Sequence, residues 1–225
     1  MSKWYCIPPA NYLQMLVTWP YHMIIGPHVK HNTTYRNFYK NNPGLYTMLD
    51  NGLWEGEVLK DTELLKMANL LHVDEIIAPD DKTSCLTLRY TKRFLDYITD
   101  KGQRYDFKIH GAVHGKTFSD TRKCMLKLVD MGVDIIDMPK MLGPELRLLL
   151  TSTLQERADL PIHFLGFYKE ELSLLEGSSA IRSFDTSVPF KPKYGEKFNL
   201  ELPYTWWNRF IIKRRIKYYE EHYGN

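Results

Sequence analysis

The residues best suited to chemistry in this sequence are three aspartates and a histidine that follow short apolar runs. Asp185 comes directly after the run Ala180–Phe184, and Asp50, Asp80 and His114 follow similar runs. An unpaired carboxylate is costly to bury, so its place beside an apolar run needs a reason. Asp185 is therefore predicted to be a nucleophile. The alternative is a turn or capping aspartate, since aspartate is common in turns.

The elements that would position these residues alternate between strands and helices. The predicted strands are Leu13–Thr18, His22–Gly26, Leu45–Leu49, Val73–Ala78, Phe107–Val113, Val133–Met138, Pro161–Phe167 and Ala180–Phe184. Strands separated by helical segments indicate βαβ units and a parallel sheet, and about eight of them close a (β/α)₈ barrel, in which the active site lies at the carboxyl ends of the strands. An open doubly wound sheet is the alternative, although no glycine-rich phosphate loop follows the first predicted strand.

The composition is that of an ordinary globular protein. The chain has 225 residues, 44% of them hydrophobic and 25% charged, with a net charge of +3, which fits a single domain over 1–225. There is no apolar run of membrane-spanning length and no signal-peptide pattern, so a cytoplasmic protein without a membrane partner is predicted. The scattered Cys6, Cys85 and Cys124 argue against a disulfide framework and against a cysteine zinc site.

A basic and aromatic segment over 200–225 is predicted to form a C-terminal helix with two different sides. The apolar side would pack as the last helix of the barrel. The cationic side would contact nucleic-acid phosphates through Lys213, Arg214, Arg215 and Lys217. The alternative is a cationic side that is merely solvated.

Histidines and carboxylates also suggest a second class of site. His110 and His114 are four residues apart on a predicted strand and so point to the same face. Together with His163, Asp137 and Asp185 they could form the metal site of a divalent-metal-dependent barrel hydrolase. However, no HxH or HExxH spacing occurs. The prediction is therefore that no metal is bound and that these histidines are polar groups of loops or of the core.

Four motifs occur in the order, and at roughly the spacing, of one enzyme family. They are Leu49-Asp50-Asn51-Gly52-Leu53-Trp54-Glu55, Ala78-Pro79-Asp80, Gly111-Ala112-Val113-His114-Gly115 and Phe184-Asp185-Thr186-Ser187-Val188-Pro189. In these motifs the chain resembles the queuine/archaeosine tRNA-guanine transglycosylases over about 45–189. The short length and the "LDNG" and "PD" forms are most similar to the phage branch, which places 7-deazaguanines in DNA. The resemblance implies a (β/α)₈ barrel, base exchange at guanine, and the host cytoplasm if a phage encodes the chain.

The resemblance also implies a role for each motif residue. Asp185 falls on the family's nucleophile, and Asp50 falls on its general acid/base aspartate. Trp54 falls on the aromatic residue that stacks on the base, and Asp80 falls on the aspartate that binds the base edge. His114 falls on the glutamine that reaches the base carbonyl.

Two further positions are expected at the substrate, and one family feature is missing. Gly52 belongs to the first motif, and Lys140 stands where the family has a Gly-Gly-Leu loop that contacts the base. The family's zinc site lies C-terminal to the nucleophile and uses three cysteines, whereas no cysteine follows Cys124. The expected barrel therefore lacks the zinc-binding subdomain, which weakens tRNA as the substrate.

Base exchange has chemical requirements that these residues meet. Cleavage of the glycosidic bond at C1′ passes through an oxocarbenium-like state, which one carboxylate can trap covalently while a second carboxyl moves a proton on and off the base nitrogen. The N1–H and N2–H₂ groups of guanine suit Asp80, whereas its O6 needs a donor such as His114. A base in a duplex must first be flipped out. The predicted function is exchange of guanine in DNA for a free 7-deazaguanine without a cofactor, and exchange on tRNA or metal-dependent hydrolysis are the alternatives.

Overall fold

A closed barrel of parallel strands forms the centre of the protein. The computed structural model describes residues 3–100, 106–166, 171, 179–190 and 205–223. The strands are β1 Lys3–Cys6, β2 Tyr21–Ile25, β3 Tyr46–Asp50, β4 Glu75–Ile77, β5 Lys108–Ala112, β6 Ile135–Pro139, β7 Ile162–Leu165 and β8 Ile181–Thr186. They pair in sequence order, and β8 pairs with β1 to close the barrel. The predicted (β/α)₈ fold is confirmed.

Helices alternate with the strands along the chain. The α-helices are α1 Gly26–His31, α2 Thr33–Lys40, α3 Asp61–Leu71, α4 Ser84–Asp100, α5 Phe118–Asp130, α6 Pro144–Gln155 and α7 Trp206–Tyr223. Short 3₁₀ segments lie at Ala10–Met15, Lys140–Leu142 and Val188–Phe190. The sequence explains the ends of α5. The Thr117 side chain accepts a hydrogen bond from the Asp120 N–H at the start, and Gly132, with φ 84°, follows the end.

The first predicted strand is wrong. The run Leu13–Thr18 does not join the barrel, because Ala10–Met15 forms a 3₁₀ helix and the first strand is Lys3–Cys6. The Trp19 indole N–H donates a hydrogen bond to the Trp4 carbonyl at 3.1 Å, which ties this segment to β1. A short apolar run can pack against a barrel as well as within it, and periodicity alone does not separate the two cases.

Charged and polar side chains lie inside the barrel, where layers of branched apolar residues are usual. Glu75, at the start of β4, accepts hydrogen bonds from the Tyr5 hydroxyl at 2.9 Å and the Tyr46 hydroxyl at 2.7 Å. It also pairs with Arg182 of β8. Burial would raise the pKa of Glu75, but the hydrogen bonds and charges of His110 and Arg182 lower it below its usual range. Glu75 is therefore a buried anion with partners on several strands.

His110 of β5 extends this interior network. Its Nδ1 lies 2.6 Å from Asp137 Oδ1, and its Nε2 lies 3.1 Å from Glu75 Oε2. Burial alone would lower the pKa of His110, but Asp137 and Glu75 raise it to about 9. The imidazole is therefore a buried cation at neutral pH, held between two carboxylates. We call these linked side chains, namely Tyr5, Tyr46, Glu75, His110, Asp137 and Arg182, the barrel-interior network.

Helix α7 has the two-sided character that the sequence predicts. Among its described side chains, Ile212, Ile216 and Tyr219 are buried, and the centroid of the Tyr219 ring lies 4.7 Å from that of Trp4. Of the predicted phosphate contacts, Lys213, Arg214 and Lys217 are exposed, whereas Arg215 is half-buried. Within the predicted segment, 200–204 and 224–225 lie outside the described residues. None of the described helices has the length and apolarity that a membrane span requires.

Candidate active site

A cavity of about 420 Å³ opens at the carboxyl ends of the strands. Its lining residues come from strand ends and the loops that follow them, and they include Ile7, Ile25, Asp50, Asn51, Trp54, Glu55, Ile77, Asp80, Pro139, Lys140, Leu165, Gly166 and Asp185. Sites of (β/α)₈ enzymes lie at this end of the barrel, and the volume is typical of pockets for small molecules. The structure therefore brings Asp50, Asp80 and Asp185 to one cavity.

Asp185 lies within β8, one residue before its end, where the sequence predicted it to follow the strand. Its Oδ1 accepts a hydrogen bond from the Gly166 N–H at 2.8 Å and lies 3.3 Å from His163 Nε2. The other ring nitrogen of His163 lies 2.8 Å from the Ser183 hydroxyl. Both donors meet the same oxygen, and no described residue hydrogen-bonds to Oδ2. Within the part of the chain that the structure describes, the carboxylate is thus held at one oxygen only.

Gly166 is itself held from its other side by helix α6. Its carbonyl accepts a hydrogen bond from Arg147 Nη2 at 2.8 Å, and its φ of 64° suits a residue without a Cβ. Arg147 is fully buried, lies 3.8 Å over the Phe164 ring and pairs with Glu171 at 3.1 Å. These contacts hold Gly166, the residue whose N–H binds Asp185. No sequence pattern indicates Arg147 or His163 in this role, because both reach the site from other elements.

Asp50 ends β3 and is only 7% exposed. The Gly52 N–H donates to its Oδ2 at 3.4 Å, and the Glu55 carboxyl lies within hydrogen-bonding reach. Burial, followed by the nearby carboxyls of Glu55 and Asp80, raises the pKa of Asp50 well above its usual range. The pKa of Glu55 is also raised, mainly because its carboxyl is partly buried against the cavity, although the residue as a whole is exposed. A raised pKa favours the protonated form of the pair, which is the form that a general acid needs.

Asp80 is held by two neighbours on the inner side of the cavity. Its Oδ2 lies 2.6 Å from His114 Nε2, and its Oδ1 accepts a hydrogen bond from Asn51 Nδ2 at 2.9 Å. His114 is 1% exposed and stands behind Asp80. The predicted contact between His114 and a base carbonyl is therefore replaced by a role in orienting Asp80. His114 lies two residues beyond β5, and its ring N–H donates a hydrogen bond to the carboxylate of Asp80.

The remaining predicted substrate residues lie at or beside the mouth. Trp54 is 53% exposed, and Lys82 Nζ lies 5.6 Å from its ring centroid. Lys140 lines the cavity, as expected. Gly52 shapes the loop instead, because its φ is 93° and an added Cβ would collide with the Glu57 carbonyl and with Pro27. The sequence reasoning missed Asn51 and Glu55, although both belong to the motif that drew attention to Asp50.

The histidines proposed for a metal site do not converge. His110 contacts Glu75 and Asp137, whereas His114 contacts Asp80 and His163 contacts Asp185. Across the described residues, no group of three or more His, Cys, Asp or Glu side chains is placed to hold a metal ion.

Comparisons with known proteins agree on the fold. No protein-family model and no curated protein matches the sequence. The structure is similar to type I 3-dehydroquinate dehydratase from Clostridium difficile, with a TM-score of 0.62 and 11% identity over 96% of this chain and 93% of that one. It is similar to phosphonopyruvate hydrolase, with a TM-score of 0.59 and 9% identity over 100% and 95%. It is also similar to KGPDC from Streptococcus mutans, with a TM-score of 0.57 and 13% identity over 95% and 98%. At such identities the likeness shows a shared barrel, and function must be argued from the site.

Proposed function

We propose that this protein is an enzyme, a guanine transglycosylase that exchanges guanine in DNA for a free 7-deazaguanine base. The observation that carries the proposal is the different settings of Asp185 and Asp50 on the wall of one cavity. Hydrogen bonds hold one carboxylate oxygen of Asp185, and the other oxygen would face the substrate. Asp50 is buried beside Glu55 and retains a proton. A nucleophile and a general acid/base need these two settings.

The exchange follows from those two roles. Asp185 attacks C1′ of a flipped deoxyguanosine nucleotide, the C1′–N9 bond breaks, and its electron pair goes to N9, which receives a proton from Asp50. The 7-deazaguanine then attacks C1′ through its own N9, the bond to Asp185 breaks, and Asp50 takes the proton from that N9. Two displacements restore the configuration at C1′. Asp50 ends each cycle in the protonation state in which it began.

Base recognition is assigned to the remaining wall of the cavity. Asp80, which His114 and Asn51 hold in place, accepts hydrogen bonds from N1–H and N2–H₂ of the guanine edge. With His114 behind Asp80, Lys140 is the cavity residue that donates to O6. The exposed Trp54 stacks on the base at the mouth. DNA is favoured over tRNA because the motifs resemble the phage branch.

The test is to incubate the protein with labelled guanine and either mixed-sequence duplex DNA or tRNA. We expect label to enter DNA, and to be displaced again by an excess of unlabelled 7-deazaguanine. Labelling of tRNA alone would favour the alternative substrate. If neither polymer gains label, transglycosylation is wrong, and loss of any hydrolytic activity on chelation would then favour the metal-dependent hydrolase.

A further inference from the structure

The loop after β3 folds back over Asp50. The Gly52 carbonyl accepts hydrogen bonds from the Glu55 N–H at 3.2 Å and the Glu57 N–H at 3.3 Å. The Leu53 N–H donates to the Asn51 side chain at 3.0 Å. This tight turn returns the Glu55 carboxyl to the Asp50 carboxyl, so that both line the same cavity within hydrogen-bonding reach of each other.

Two carboxyls can hydrogen-bond to each other only if one of them carries a proton. If both were ionised at this distance, they would repel each other. Among the described residues, the other charged groups on the cavity wall are Asp80 and Asp185, which make loss of the proton harder, and Lys140. On its outer side Glu55 also faces the titratable groups of His28, His31 and Glu57. His114 is engaged with Asp80 rather than with the pair.

The two carboxyls differ in their access to solvent. Asp50 is buried, whereas Glu55 belongs to an exposed stretch of the loop. Glu55 also lines a second depression, about 390 Å³ in volume, beside His28 and His31 of α1. Glu55 thus stands between the cavity and the outer surface. This position lets the buried Asp50 exchange protons with solvent through its neighbour.

We propose that Asp50 and Glu55 share a single proton and act as one acid/base unit, with Glu55 as the residue that positions and holds the proton of Asp50. The inference rests on the proposed function, which it deepens. The shared proton passes to N9 of the departing guanine and leaves two adjacent carboxylates. Their mutual repulsion makes the pair a stronger base, which then recovers a proton from N9 of the incoming base. The proton count is the same at the start and the end of the exchange.

The first measurement is an NMR titration of the side-chain carboxyl carbons in protein labelled at Asp and Glu. In the wild type we expect Asp50 and Glu55 to titrate together in two steps. In Glu55→Gln we expect Asp50 to titrate in one step at lower pH, because the neighbouring charge is gone. Glu55→Asp should restore the two steps. The matched control is Glu57→Gln, because Glu57 is on the same loop but pairs with Lys30 and His31. Asp50 titrating identically in the wild type and in Glu55→Gln would overturn the proposal.

The second measurement is the pH dependence of guanine exchange into DNA. Activity should fall on the alkaline side as the pair loses its proton, and Glu55→Gln should move that fall to lower pH by about one unit, a modest shift for a neighbouring charge. The two ideas fail separately. If the pair titrates as expected but no polymer gains label at any pH, the transglycosylase proposal is wrong. If exchange occurs and Glu55→Gln leaves both the titration of Asp50 and the pH profile of exchange unchanged, the proposal of a shared proton is wrong.

Discussion

One residue type occupies three different environments in this cavity. Asp185 meets a backbone N–H and an imidazole, Asp80 meets an imidazole and an amide, and Asp50 meets another carboxyl. Donors around a carboxylate favour an acceptor or a nucleophile, whereas a neighbouring carboxyl favours a retained proton. The division of chemical roles therefore follows from the neighbours of each aspartate, which lie far away in the sequence for Asp185 and Asp80 and in the same loop for Asp50.

Replacing Asp185 with asparagine gives the first prediction. Asp185→Asn keeps the size of the side chain, so we expect the melting temperature and DNA affinity to change little while guanine exchange is lost. Asp50→Asn should cripple exchange but still permit attack by Asp185. A DNA–protein adduct that survives denaturation should therefore form with the wild type and with Asp50→Asn, and not with Asp185→Asn. An adduct mapped by mass spectrometry to a peptide without residue 185 would contradict the assignment.

At this scale the sequence identified the carboxylates and missed their neighbours. Asp50, Asp80 and Asp185 could be found because the ends of parallel strands meet on one rim, whatever the details of packing. The role of His114 was predicted differently, because its sequence position does not show which way its ring turns. Glu55 depends on a tight turn that forms only when Gly52 adopts a positive φ.

Among the elements, helix α6 reaches the candidate nucleophile through a single residue, Gly166. Arg147 binds the Gly166 carbonyl, and the Gly166 N–H binds Asp185. A substitution on α6 should therefore affect the chemical step without any contact with substrate.

Arg147→Lys gives the second prediction. It keeps the buried charge beside Glu171 but loses the planar fork that also reaches Gly166. We expect kcat to fall about five- to tenfold, the effect of one missing hydrogen bond, with KM for DNA nearly unchanged. Arg157→Lys, at an exposed position just after α6, serves as the control. A rise in KM at constant kcat would mean that Arg147 supports substrate binding instead.

Helix α7 carries the third prediction. Its outer cations Lys213, Arg214 and Lys217 are exposed, and their replacement by alanine should weaken DNA binding for all sequences. The slope of log K against log salt should become less steep by about 0.9 for each phosphate that the helix no longer neutralises. Arg215 is half-buried, so we expect it to add less. The control is Lys92→Ala, an exposed cation of α4. An unchanged slope would leave α7 with a packing role only.

The order of elements was largely predictable, and its one failure has a clear cause. Alternating apolar runs and amphipathic helices indicate a parallel barrel because each strand must be covered by a helix. The strand at Lys3–Cys6 is too short to show a pattern of its own, and the longer apolar run that follows it was taken instead. The number of strands was right although the identity of the first was not.

Over the whole molecule, the barrel-interior network links strands from all round the barrel. Its residues come from β1, β3, β4, β5, β6 and β8. The sequence drew attention to His110 and Asp137, but as candidates for a metal site, because their partners are brought to them only once the barrel closes. Each charge is held by partners from other strands, and breaking such a buried pair leaves an uncompensated charge. The network should therefore make the stability of the whole fold depend on pH.

His110 carries the fourth prediction, and its sign follows from the direction of the pKa shift. The folded-state pKa is about 9, above the roughly 6.5 of an unfolded chain, so the folded state binds the proton more tightly. The resulting stabilisation is complete below about pH 6.5 and is lost as pH rises through about 9, with a size on the order of 3 kcal/mol. Glu75 acts in the opposite direction, since its lowered pKa gives a stabilisation that is lost in acid.

The measurement is the free energy of unfolding between pH 6 and pH 10, together with an NMR titration of the His110 imidazole. We expect stability to decline across this interval in the wild type and in His31→Gln, where the histidine replaced is exposed. The decline should flatten in His110→Gln, which is also less stable because Asp137 loses its partner. Tyr5 and Tyr46 should not contribute, because burial and Glu75 raise the pKa of both hydroxyls. If His110 titrates near its ordinary pKa, the assignment of His110 as a buried cation is wrong, whether or not His110→Gln folds.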